Sequence, residues 1–278
     1  VCSKQCLSEG DFKNICNSFD EIVVGSDQVW NYNLTEHDMH YFLPEIGAFV
    51  KKVAYAASTG GADFSTQESN KMILSLQNFS DISVRESASK IALGQRLKEK
   101  YIEVVLDPVF LTSKNNWMQL AAKPVKKDYI LFFKMGYSKT AEPALEFAKK
   151  LSEETGYELL MLWDQETWFK YRDVKHIGAA GPAEFLQWIA GAKCVVTNSF
   201  HATAFSIILN TPFYVETEIE RKDRVLNILN IFKLEKCGLV KGKSANGLNI
   251  PKIEWNVVNL LLDNERHRSL DYIDRILK

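Results

Sequence analysis

Eight apolar runs of strand length recur along this chain, and most are continuous rather than alternating. EIVVG (21–25), KKVAYAAS (51–58), DISVR (81–85) and IEVVLD (102–107) lie in the first half, and DYILFFK (128–134), YELLMLW (157–163), CVVTN (194–198) and PFYVE (212–216) in the second. A strand with one wet face alternates apolar and polar residues, so a continuous run calls for cover on both faces. Between the runs, residues 66–78, 86–99, 141–154 and 181–192 carry apolar positions at helical spacing, with Pro182 in the first turn of the last. Strands alternating with helices in this way predict parallel sheets sandwiched by helices, an α/β fold. At 278 residues the chain is long enough for two such domains, since a domain takes roughly 100–200 residues. Pro124 and the lysine pair 126–127 put the boundary within 111–127, which gives an N-terminal α/β domain over 1–115 and a C-terminal one over 116–278. The amphipathic stretch 255–277 closes the second domain as one long helix or two short ones. The first twenty residues show no clear element, and a chain opening on Val1 is expected to lack a natural N-terminal portion.

Charge and cysteine usage narrow the function classes. Lys and Arg number 34 against 35 Asp and Glu, so no overall field attracts nucleic acid. The five cysteines (Cys2, Cys6, Cys16, Cys194, Cys237) are an odd number without CxxC spacing, which reads as reduced thiols in a cytoplasmic protein without a metal site. His37, Asp38 and His40 sit together but lack a third ligand at a recognisable spacing. Lys170, Arg172 and Lys175, near Trp163 and Trp168, read as a solvated rim.

Paired α/β domains bind ligands beyond the C-terminal ends of their strands, in the crevice between the two halves. Two stretches fall there. In CVVTNSFHATAFSII (194–208) a strand runs into Asn198 and Ser199, both good helix caps, and a helix starts at Phe200. The free N–H groups of its first turn favour a phosphate or carboxylate, and His201 adds a proton donor. The competing reading is a histidine bonded to a neighbouring carbonyl. In EIVVGSDQVWN (21–31) a buried strand meets Gly25, where the chain turns without a Cβ penalty, and Ser26, Asp27 and Gln28 offer polar groups. Trp30 there is either a platform for a sugar ring or a core residue.

GSDQVWN (25–31), ISVRESAS (82–89), VLDPVFL (105–111) and TNSFHATAFSIILNTPFYV (197–215), in that order, resemble the polysaccharide pyruvyl transferase family. The resemblance implies two Rossmann-like domains in a GT-B-like arrangement. It also implies transfer of the enolpyruvyl group of phosphoenolpyruvate to a sugar, forming a pyruvate ketal on a cell-surface polysaccharide precursor. His201 matches the family's histidine and is implied in phosphate contact or general-acid work; Arg85 is implied in donor binding. A third cation is expected after strand 212–216, where Arg224 is preferred to Lys222 and Arg221 because an apolar helical run follows it. Gly25, Ser26, Asp27, Gln28, Trp30, Asn198 and Ser199 are the expected substrate-binding positions. No cofactor or metal is implied. The partners are phosphoenolpyruvate and a sugar acceptor, carried as a nucleotide sugar or a lipid-linked oligosaccharide, with peripheral membrane contact in the second case.

The chain also departs from the family pattern. Family members begin with a strand and a glycine- and asparagine-containing loop that nothing before Glu21 supplies. Some members carry Arg where this chain has Ser199, a loss for which Lys134 is the expected compensation. The alternative readings are a GT-B-like glycosyltransferase using a nucleotide sugar, and a non-catalytic member of the fold.

Overall fold

The computed structural model describes residues 8–122, 128–135, 141–162, 171, 174–178, 180–218 and 222–278. The chain divides into two compact units, the first comprising residues 1–108 and 265–278 and the second residues 109–264. The division falls just before the expected boundary.

In unit 1, helix α1 (Glu9–Cys16) precedes strand β1 (Glu21–Val24), and β2 (Lys51–Ala57), helix α2 (Asn70–Leu76), β3 (Asp81–Val84), helix α3 (Ser87–Gly94) and β4 (Ile102–Val104) follow. The four strands pair in sequential order, every pair parallel, as continuous apolar strands require. Trp30, Phe42, Phe64, Leu76, Phe79, Ile82 and Val84 fill the core beneath them. Helix α1 lies where no element was expected. Its cap accounts for it: the Ser8 hydroxyl accepts from the Asp11 N–H at 3.2 Å and donates to the Asp11 carboxylate at 2.8 Å.

Unit 2 contains α4 (Lys114–Leu120), β5 (Tyr129–Phe133), α5 (Ala141–Thr155), β6 (Glu158–Leu162), β7 (Lys175–Ile177), α6 (Pro182–Gly191), β8 (Cys194–Thr197), α7 (Phe200–Leu209), β9 (Phe213–Glu216), α8 (Asp223–Ile231), β10 (Gly238–Val240) and β11 (Lys243–Ser244). Its sheet runs β11-β10-β9-β8-β5-β6-β7, parallel except for the β10–β11 hairpin. On one face Ile130, Phe132 and Val196 pack with Ala144, Ala148 and Leu151 of α5. On the other, Phe133 meets Phe185 of α6, which meets Phe205 of α7.

The C-terminal stretch is one helix, α9 (Trp255–Ile276). It does not simply close the second domain. From Glu265 onward it belongs to unit 1, where the Ser269 hydroxyl accepts from Leu106 N–H at 3.0 Å and the Tyr272 hydroxyl donates to the Ala54 carbonyl at 2.9 Å. Hydrophobic periodicity shows that such a helix has a buried face, but not which sheet supplies the cover. Among the described residues no helix is long and apolar enough to cross a membrane.

Candidate functional site

The chemistry-bearing residues fall into two clusters, one in each unit. In unit 2 the chain goes outward from β5 to β6 and β7, returns to β8, and then builds outward the other way through β9 and β10. Strand order therefore reverses between β5 and β8, and the helices that follow these two strands cover opposite faces. Such a switch point leaves a crevice beyond the strand ends, the usual place for a ligand in an open α/β sheet. Phe133 and Thr197 are paired at the end of the ladder, so Lys134 and Asn198 leave the sheet side by side.

Asn198 ties the ends of β5 and β8 together. Its side-chain oxygen accepts from Met135 N–H at 2.8 Å, and its amide donates to the Met135 carbonyl at 3.2 Å. Ser199 is the expected N-cap, with extended backbone and its hydroxyl accepting from Ala202 N–H at 3.4 Å. Both side chains are buried and committed to the frame, so their contribution is to hold helix α7 in place. Every residue of α7 from Phe200 to Leu209 is buried except His201. Among the described residues no hydrogen bond or ion pair holds the His201 imidazole, which meets the Phe200 ring edge-on at 5.3 Å. The competing arrangement, a bond to a nearby carbonyl, is thus not the one adopted. Arg224, in the first turn of α8, places its guanidinium 5.8 Å from the centre of the Phe200 ring, which brings it to the start of α7. Lys222 is exposed and faces Glu218 at 3.9 Å, while Arg221 lies outside the described residues.

The unit 1 cluster sits at the ends of β1, β3 and β4. The Arg85 side chain is only 1% exposed. It donates to Asp107 at 2.6 Å and to Asp27 at 3.3 Å, and its Nε stands 3.8 Å from the Glu86 carboxylate. Ser26 donates a second hydrogen bond to Asp107 at 2.9 Å. Glu86 accepts from Ser58 at 2.6 Å and from the Ser89 hydroxyl. One cation thus faces three carboxylates, two of them buried, and direct contact with an anionic donor would require Arg85 to leave them. That geometry redirects the expectation for Arg85 toward positioning.

Two further readings of the GSDQVWN stretch need correction. Trp30 is fully buried, stacked on Phe42 and edge-on to Phe79, with its indole N–H donating to the Tyr41 carbonyl at 3.0 Å, so no sugar ring can reach its face. Gly25 does not supply the special turn either, since a Cβ there would meet open space and its φ is not positive. The turn residue is Asp27, at φ 96°. It is held there by Ser58 N–H donating to its carbonyl at 2.9 Å and by Gln28 N–H donating to its carboxylate at 2.8 Å. A non-glycine residue in that region costs about 1–3 kcal/mol, and such strain concentrates at functional sites. Asp27 remains 62% exposed at its side chain, whereas Gln28 is buried and accepts from Asn31 at 3.2 Å.

The remaining clusters offer little chemistry. His40 is bonded to Asp38 at 2.5 Å and His37 faces Glu68 at 3.5 Å, all near the surface. Among the described residues no three of His, Cys, Asp and Glu group to hold a metal. Cys16, Cys194 and Cys237 are buried; burial pushes the Cys237 thiol up to about 12 and raises that of Cys194 as well, which keeps both protonated and unreactive. Cys2, Cys6, Trp163, Trp168, Lys170 and Arg172 lie outside the described residues, and Lys175 pairs with Glu158 at 2.6 Å on the surface.

A family model described as polysaccharide pyruvyl transferase matches residues 3–217. No curated protein matches the chain. Among solved structures, the chain is similar to UDP-GlcNAc 2-epimerase from Methanocaldococcus jannaschii in complex with UDP-GlcNAc and UDP. There the TM-score is 0.55 at 16% identity, over 96% of this chain and 80% of that chain. It is also similar to OtsA in its apo form (TM-score 0.56, 8% identity, 97% and 78% covered). A putative UDP-N-acetylglucosamine 2-epimerase from Listeria monocytogenes follows (TM-score 0.51, 11% identity, 91% and 76% covered). At such identities the likeness is one of fold, two α/β domains of the kind found in GT-B enzymes.

Proposed function

Because the chain belongs to the polysaccharide pyruvyl transferase family, we propose that this transferase moves the enolpyruvyl group of phosphoenolpyruvate to a sugar, giving a pyruvate ketal on a cell-surface polysaccharide precursor. The observation that carries the reading is the family match itself, which runs across both the GSDQVWN and the TNSFHATAF stretches. The site chemistry supports it. Phosphoenolpyruvate brings a phosphate and a carboxylate, and the start of α7 offers N–H donors, a favourable dipole and Arg224.

On this reading His201 gives a proton to the methylene carbon, which becomes the methyl group as positive charge develops at the neighbouring carbon. A sugar hydroxyl attacks that carbon and the bond to the phosphate oxygen breaks. A second hydroxyl closes the ketal. Of the two hydroxyl protons released, one restores His201 and the other leaves on inorganic phosphate. Asp27, exposed and fixed by Arg85, is our candidate to accept hydrogen bonds from acceptor hydroxyls.

A second reading, an enzyme of nucleotide sugars, is supported by the fold likeness to epimerases, one of them in complex with UDP-GlcNAc and UDP. A helix N-terminus at a switch point would receive a diphosphate equally well. Thermal shift separates the two readings. Phosphoenolpyruvate at about 100 times its Kd should stabilise the chain by about 2.7 kcal/mol, and phosphate release should follow when acceptor is added. Stabilisation by UDP-GlcNAc alone, with no phosphate release, would replace the first reading by the second.

Metal dependence is a separate test. Magnesium normally needs one or two carboxylates besides substrate oxygens. Asp107 is committed to Arg85 and Ser26, and Asp27 to Arg85 and Gln28. Phosphate release is therefore expected to continue in EDTA. Complete loss in chelator, restored by one particular metal, would expose a ligand set among Asp27, Asp107 and His37.

A further inference from the structure

Among the described residues six charged side chains are buried: Lys52, Arg85, Glu86, Asp107, Lys134 and Glu216. Five of them are compensated. Lys52 donates to the Ile46 carbonyl at 2.9 Å, Arg85 and Asp107 bond each other, and Glu86 accepts from Ser58. Glu216 accepts three backbone N–H groups, from Glu218 at 3.0 Å, Lys241 at 3.1 Å and Gly242 at 2.8 Å. Lys134 is different. It is 9% exposed, and among the described residues it has neither a hydrogen-bond nor an ion-pair partner. The stem accounts for that burial: the Lys134 Nζ is not among the enclosed side-chain atoms that lack a partner, so the ammonium reaches the surface, where a ligand from outside the chain can meet it.

Its position says what that partner is. Lys134 leaves β5 beside Asn198, on the border of the switch-point crevice onto which α7 opens. Asn198 is already spent on both polar groups of Met135, and the Ser199 hydroxyl caps the helix. What is left there donates: the ammonium, which has no acceptor capacity, and the N–H groups at the positive end of α7. Donors of that kind are complementary to an anion.

We propose that Lys134 is an anion-binding residue whose ammonium contacts the phosphoryl or carboxylate oxygens of the ligand held at the start of α7. The inference rests on the donor assignment made above for that site, but it concerns the anion rather than the identity of its carrier.

The test is Lys134→Met in the full chain, which removes the charge and keeps most of the stem volume, with Lys134→Arg as the conservative control. Calorimetry would use three probes: inorganic phosphate, phosphoenolpyruvate and UDP. A charge-assisted contact in a closed site corresponds to about a tenfold to hundredfold affinity. Lys134→Met should lose that much for whichever probes bind the wild type, Lys134→Arg should retain most of it, and the ligand-free melting temperature of Lys134→Met should match that of the wild type. If phosphate and UDP bind through Lys134 but phosphoenolpyruvate does not, the inference stands and the pyruvyl donor falls. Equal affinity in wild type and Lys134→Met, failure of all three probes to bind the wild type, or a Lys134→Met chain that unfolds or melts earlier would each overturn it, the last by making the ammonium structural.

Discussion

His201→Gln is expected to lower phosphate release from phosphoenolpyruvate by about 10²–10⁴-fold, the usual contribution of a general acid, while the melting temperature stays within about 2 °C of wild type. The two halves of this expectation come from different observations. The loss follows from the position of the imidazole: it is the one side chain of α7 that is not buried, in the first turn of a helix capped by Ser199 and beside the tie that Asn198 makes between β5 and β8. The preserved stability follows because no hydrogen bond or ion pair among the described residues depends on the imidazole, which meets the Phe200 ring edge-on. Glutamine keeps a polar side chain of similar reach but cannot deliver a proton near neutral pH. Wild-type phosphate release from a folded His201→Gln chain would remove His201 from the chemistry.

Arg85→Ala should instead act on the fold. Removing the guanidinium leaves Asp107 and Glu86 buried without their cation, and stripping one partner from a buried ion-pair network typically costs about 3–5 kcal/mol. For a unit of this size the melting temperature should drop by on the order of 10 °C or more. Asp27 would also lose the donor that steadies its carboxylate at a strained backbone position. The contrast with a direct donor-binding role is sharp. An arginine that only grips phosphoenolpyruvate would leave the ligand-free melting temperature unchanged while affinity falls about tenfold to hundredfold. Calorimetry and melting of the same Arg85→Ala protein decide between these outcomes, and unchanged melting with lost donor affinity would return Arg85 to the ligand.

The difference between His201 and Arg85 shows how far motif reading reaches. Both residues stand in motifs that resemble the same family, and both are placed at strand ends as expected. A motif records which residue type recurs at a position, not what stands opposite it in space. Opposite Arg85 stand Asp27, from 58 residues earlier, and Asp107, from 22 residues later, and together they account for its charge. Opposite His201 nothing described is bonded. Trp30 was open to two readings for the same reason: an indole reads as platform or core until Phe42 and Phe79 are seen against it.

By itself the sequence determined the architecture of this protein. Continuous apolar runs spaced by helical periods leave few choices besides parallel sheets with two covered faces, because local periodicity and burial are written in neighbouring residues. It also determined the helix that begins at Phe200 and the cap that starts it, since capping chemistry acts within three residues. Short polar strands such as Lys175–Ile177 are not legible in the sequence, because three residues carry too little pattern and owe their state to the strands beside them. Only the tertiary structure decided which unit receives the last turns of α9, where the sheet reverses its order between β5 and β8, which arginine is already neutralised, and that the Lys134 ammonium has no partner among the described residues. Each of these depends on residues far apart in the chain meeting at one place, and the Coulomb and desolvation energies that decide a charged group's role exist only once they have met.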